Sequence, residues 1–218
     1  MPDSLRRLAP LTGVVFAALL VATFAVGGMP PNVHDSGLKV IAHYQDDHAK
    51  LMASDFLGAL GVVFFIFFAG SLRSFLKRRE GGESLATVAL GGAVLLGVGG
   101  AIFSSLDWAL ADARNSIDPS AAQALNVLQN DFFWPFQIGL VVFSIAIGLA
   151  IVSTGALPRW LGWVAVGLGI LGITPVGFFA FMVLMLWSVV VSILVFQRTD
   201  SSPTSAAGGS ASPAAQGA

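Results

Sequence analysis

Long apolar runs separated by short polar segments organise this chain, and the runs have the length of membrane-crossing helices. A helix needs about 20 predominantly apolar residues to cross a hydrocarbon core roughly 30 Å thick, and it satisfies its own backbone hydrogen bonds there. Four runs meet that requirement directly: Leu8–Gly28, Ser54–Leu72, Leu85–Phe103 and Phe132–Thr154. A last run, Trp160–Gln197, has 38 residues. As one helix it would be about 57 Å long, too long for a single crossing. Thr174-Pro175-Val176-Gly177 supplies a break, because proline and glycine punctuate helices, and divides the run into Trp160–Thr174 and Gly177–Gln197. The pattern therefore predicts one all-α membrane protein, a six-transmembrane-helix bundle over residues 1–198. Residues 199–218, rich in Ser, Ala, Gly and Pro, have no core to bury and are expected to be a disordered tail.

Charge sets the orientation. With six spans, Arg6, Arg7, Arg73, Lys77, Arg78, Arg79, Arg159 and Arg198 share one side, and Lys39, Lys50 and Arg114 the other, an 8 to 3 bias. Cytoplasmic loops carry the excess of Lys and Arg, so both termini are expected inside. Five spans would move Arg198 outside and weaken the bias. The opening run also has the basic flank and small-residue exit of a secretory signal, but it is longer than a signal core, which favours a retained anchor.

Composition narrows the function. The chain is 56% hydrophobic and 11% charged, with net charge −1 and no cysteine. That gives no basic footprint for nucleic acid, no disulfide framework and no thiol chemistry. No ionisable side chain falls at mid-depth to relay protons or sense voltage, and no histidine there ligates haem. The P-loop, the GxSxG elbow and HExxH are absent, as is an inverted repeat. No cofactor is implied.

Small residues point to helix packing. Ala89, Ala93, Gly97 and Ala101 recur at four-residue intervals in the third span, flanked by Gly92 and Gly100, and permit close backbone approach. Gly162, Ala165, Gly169 and Gly172 do the same in the fifth. The neutral polar residues of the spans, among them Ser144, Ser188 and Ser192, are expected to hydrogen-bond between helices. The stripes also suit a homo-oligomer or a membrane protein partner.

The chemistry-bearing residues lie in two outer loops. In the first, Ser36 is an expected N-cap, and Val40, Ile41, Tyr44 and Leu51 recur at helical spacing as an apolar face. His43, Asp47 and His48 form the densest polar group and are weak metal candidates, with Asp107 or Asp112 completing a set. A solvated helix surface is the plainer reading. In the second loop the third span is expected to continue through Arg114, Asp118-Pro119 to open a short helix, and Asp131 to cap the fourth span. Asp55 and Asp107 stand at outer helix ends, where they either solvate those ends or form an acidic vestibule for cations. Gln137 is a possible cavity residue. Arg73, Lys77, Arg78, Arg79 and Arg159 serve as anchors to the lipid bilayer on the inner side.

The segment YQDDHAKLMASDFLGALGVVFFIFFAGSLRSFLKRREG, then a Gly-rich span and GALPRWLGWVAVGLGILG, resembles a group of small multi-pass integral membrane proteins of actinobacteria. The resemblance covers about residues 41–175. It rests on Gly70-Ser71-Leu72-Arg73 and on the Leu157-Pro158-Arg159-Trp160 turn. It implies a bacterial plasma membrane and a six-helix bundle, and carries no activity. The leading expectation is a non-enzymatic protein that senses, binds or scaffolds through its extracytoplasmic loops. The alternative is a facilitative transporter of a small neutral or apolar solute, with a cavity near Gln137 and the third span. An outer-leaflet enzyme using His43, Asp47 and Asp107 is the third class.

Overall fold

A computed structural model describes residues 8–131 and 133–200, without the Asp200 side chain. Arg6, Arg7, the expected span start at Phe132 and the tail beyond residue 200 lie outside the described residues. Those described form a 3-10 turn, Ala9–Leu11, and helices α1 (Thr12–Gly27), α2 (Gly37–Asp46), α3 (His48–Leu76), α4 (Glu83–Ala113), α5 (Pro119–Asp131), α6 (Trp134–Thr154), α7 (Arg159–Gly172) and α8 (Gly177–Asp200). Five helical stretches are long and apolar enough to cross a membrane, those holding α1, α3, α4, α6 and α8. At 14 residues, α7 is shorter. The chain is thus an α-helical bundle of membrane type, with Phe67, Trp163, Phe179 and Leu186 turned outward, as lipid-facing surfaces require.

Local chemistry explains the helix ends. Asp118 Oδ1 accepts from the Ser120 amide at 2.9 Å just before Pro119 starts α5. Gly155, at φ +60°, ends α6 in the left-handed conformation while its amide bonds Ile151 at 3.0 Å. Gly172 and Gly177 bracket the expected break at Thr174–Val176. Other end expectations need correcting. Ser36 stands at the N-cap of α2 without a side-chain cap bond. Asp131 closes α5 rather than capping α6, whose N-cap is Phe133. Thr199 and Asp200 belong to α8, not to the tail.

Six helices pack as a ring in the order α1, α3, α4, α6, α7, α8, with α8 returning to α1. Glycine sets the tightest crossings. A Cβ on Gly139 would stand 2.2 Å from the Leu96 amide nitrogen, and one on Gly99 2.4 Å from that of Phe136, so α4 and α6 touch backbone to backbone. Gly148 and Gly162 bring α6 and α7 together in the same way. The expected stripe divides: Ala89, Ala93 and Gly97 are buried, Gly97 against Val62 of α3, whereas Ala101 is exposed. At the centre, Phe16, Phe65, Phe143 and Trp187 form a chain of ring contacts at 4.8, 5.0 and 6.3 Å, from α1, α3, α6 and α8. Of the buried hydroxyls, Ser54 bridges helices as expected, donating to the Thr23 carbonyl of α1 at 3.0 Å, and three others do not. Ser188 donates to Met185 of its own helix at 2.7 Å, and Ser144 and Ser192 have no partner.

Two ends of the bundle differ. At one, Lys77 pairs with Glu83 at 2.8 Å, Arg73 Nε donates to Thr87 at 3.0 Å, and Arg198 donates to the Ala156 carbonyl. At the other, α3 and α4 extend past the length that a hydrocarbon core of roughly 30 Å requires. Their 29 and 31 residues make about 44 and 46 Å at 1.5 Å per residue. Against these overhangs pack α2 and α5, forming a cap with its own apolar core of Val40, Tyr44, Leu51, Leu110, Ala111 and Ala122. The start of α2 lies so close to α5 that a Cβ on Gly37 would overlap the Pro119 carbonyl.

Candidate functional site

The cap buries polar groups in its interior. On α2, Val40 and Tyr44 share a face one turn apart, and on α5 Ala122, Asn126 and Gln129 do the same. Packing the two faces against α4 brings Tyr44, Asp107 and Gln129 together. The Tyr44 hydroxyl donates to Asp107 Oδ1, and Gln129 Oε1 lies 3.4 Å from the same hydroxyl. Tyr44 is 1% exposed and Gln129 fully buried. Burial, and then the adjacent Asp107 charge, push the Tyr44 hydroxyl well above its ordinary pKa of 10.0, so it remains a donor. Asn126 Nδ2 ties the preceding loop to α5 by donating to the Asn32 carbonyl at 2.9 Å.

This network is incomplete. His43 Nε2, His48 Nδ1, Asp55 Oδ2, Asn126 Oδ1 and Gln129 Nε2 are buried with no hydrogen-bond partner. Buried polar atoms are partnered in the great majority of cases, so several orphans around one small core mark a place that water or a ligand completes. Below them, at the junction of cap and bundle, a cleft of about 380 Å³ opens between α3 and α4. Asp55, Phe56, Ser104 and Trp108 line it, with Ala59, Ala101 and Ser105.

The residues singled out from sequence scatter around this centre. Asp107 lies within it. His43 is half-buried, its ring edge-on to Tyr44 at 5.3 Å. Asp47 occupies the bend between α2 and α3 and pairs with Lys50 at 2.5 Å; that hydrogen bond lowers its carboxyl below the usual range. His48 opens α3. Gln137 is elsewhere, its amide against Gly177 at the start of α8. Among the described residues no three His, Asp or Glu side chains gather where they could hold a metal ion, so the set of His43, Asp47 and His48 with Asp107 or Asp112 is not assembled. Sequence reading passed over Gln129 and Asn126 and took Tyr44 only as an apolar contact. The spacing Ala122, Asn126, Gln129 was the available signal, since these recur as one helical face. No family model, curated protein or solved structure matches this chain.

Proposed function

We propose that this is a six-pass protein of a bacterial plasma membrane, with both termini cytoplasmic, that senses or binds through its extracytoplasmic cap and catalyses no reaction. Support for the sixth pass comes from α7. Its residues Gly162, Gly169 and Gly172 meet Gly148, Ile145 and Leu140 in turn, an antiparallel register along most of α6. The turns before and after α7 therefore lie at opposite ends of the bundle. Support for the orientation is the clustering of Arg73, Lys77, Arg78, Arg79, Arg159 and Arg198 at the end away from the cap.

The observation that carries the binding reading is the set of unpartnered buried polar atoms of His43, Asn126 and Gln129 in a cap that has its own apolar core. The aromatic chain across the bundle centre weighs against the transport alternative, because it fills the midplane where a solute would pass. The tight α4–α6 crossing likewise leaves no space at the Gly-rich third span.

The absence of cysteine makes topology easy to test. Gln123→Cys in the cap should react with a membrane-impermeant maleimide in intact cells, and Arg79→Cys only after lysis; the opposite pattern overturns the orientation. Binding is tested by native mass spectrometry of protein extracted gently from its own membrane. A molecule retained by the wild type and by Arg79→Ala, but lost from Gln129→Ala, is the expected result. If no retained molecule depends on Gln129, or if proteoliposomes show saturable uptake of a neutral solute, this reading is replaced.

A further inference from the structure

The cleft between α3 and α4 has a composition that selects its ligand. Asp55 lines it, is 8% exposed, and holds Oδ2 without a partner. The ion pairs among the described residues occupy Lys39, Lys50 and Lys77, and none reaches Asp55. The Ser104 hydroxyl stands beside the Asp55 carboxyl. At the mouth are two exposed aromatics, Phe56 at 65% and Trp108 at 45%. A carboxyl with aromatic side chains beside it is an arrangement that takes an ammonium group, by charge and by attraction to the ring quadrupole.

The surface below the cleft says what carries that ammonium. On α3, Phe56, Leu60, Val63 and Phe67 are exposed at helical spacing, and form one stripe running from the cleft along the bundle. On α4, Val94, Val98, Ala101, Ser105 and Trp108 form the facing stripe. A polar, acidic head end and an apolar groove beneath it match an amphiphile standing in the membrane. The cleft is level with Asp55, at the outer boundary expected for the span Ser54–Leu72.

We infer that this cleft binds the ammonium headgroup of an aminolipid of the outer leaflet, with Asp55 as its counter-ion and Trp108 against its face. The acyl chains lie along the Phe56–Phe67 stripe. This assignment rests on the orientation proposed above and names a ligand for the membrane edge of the cap.

The test uses the full chain in vesicles of equimolar phosphatidylethanolamine and phosphatidylglycerol, with retained lipid read by native mass spectrometry. Wild type should retain phosphatidylethanolamine preferentially. Asp55→Asn should lower that preference on the order of tenfold, as loss of a charge-assisted hydrogen bond does. Trp108→Leu, an exposed change with little folding consequence, should lower it by roughly two- to fivefold. Asp47→Asn, which removes an exposed carboxylate outside the cleft, should leave it unchanged. No preference in wild type, or an unaltered one in Asp55→Asn, overturns the inference. Octylammonium added to phosphatidylglycerol vesicles separates free amine from lipid: its retention without a phosphatidylethanolamine preference also overturns it. Gln129→Ala should keep the lipid preference, so this inference and the cap-binding reading fail independently.

Discussion

Gly91 and Gly92 are neighbours in α4 with opposite surroundings, and substituting each by alanine isolates the packing of the bundle. Both changes gain the same helix propensity, roughly 1 kcal/mol for Gly→Ala in a helix interior. At Gly91 a new Cβ meets nothing within 4 Å. At Gly92 it would stand 2.4 Å from the Phe143 nitrogen and 2.9 Å from the Phe143 Cα. Carbon atoms pack at about 3.5–4.0 Å, so α4 and α6 must part by roughly 1 Å at this point. The obstacle is backbone on a facing helix, which has no rotamer to escape into. Parting there also loosens the crossings at Gly99 and Gly139 on the same seam. A cost near the upper end for overpacking, about 3 kcal/mol, less the propensity gain, leaves Gly92→Ala destabilised by about 2 kcal/mol while Gly91→Ala is neutral or slightly more stable. The two variants should differ by roughly 4–12 °C in melting temperature, followed by tryptophan fluorescence in mild detergent. If they melt within about 2 °C of each other, the backbone contact between α4 and α6 does not exist as described.

Tyr44 is the chain's single tyrosine, so tyrosinate absorbance reports it alone. Its folded pKa is raised above 10.0, so its contribution to stability is complete below that pH and is lost as pH rises beyond it; tyrosinate should appear only as the cap opens, and an ordinary titration near 10 would refute its burial. Ser144→Ala and Ser192→Ala each remove a buried hydroxyl with no partner, and should be neutral or stabilising by up to about 1 kcal/mol. A loss of that size in either melt would mean that the hydroxyl has a bond the packing conceals.

The parts readable from sequence were those that a single helix settles on its own. Apolar run length located the membrane-type helices, and the Asp118-Pro119 and Thr174–Gly177 signals marked where chains turn. What each run packs against needed a second helix. Small residues at four-residue spacing identified an interface on α4, yet its two sides diverge: Gly97 meets α3 while Gly92 and Gly99 meet α6. Ala101 follows the same spacing but sits past the crossing. The cap was harder because histidine and aspartate draw attention as chemistry, whereas its buried members are a tyrosine and two amides. Asn126 and Gln129 are ordinary surface residues until α5 folds back over α2.

One tertiary feature was nonetheless within reach of counting. Helices α3 and α4 are joined by a tight turn in which Gly81 has φ +78° and Lys77 pairs with Glu83. A short antiparallel connection fixes which residues face each other, since those equally far from the turn meet. Arg73 meets Thr87 and Val62 meets Gly97 on this rule, and Asp55 meets Ser104. The hairpin therefore brings an acid, a hydroxyl and the aromatics Phe56 and Trp108 beside them to one level without any help from the cap. That level is set by the surplus of the two helices over the roughly 20 residues a bilayer requires. At its centre the bundle packs aromatics and turns Ser188 back to its own helix. Toward the cap, α3 and α4 supply walls for Tyr44, Asp107 and Gln129. On the proposed topology, the unpartnered polar groups of the cap lie where α3 and α4 exceed the roughly 20 residues a bilayer requires, near enough to water to be completed by it or by a ligand.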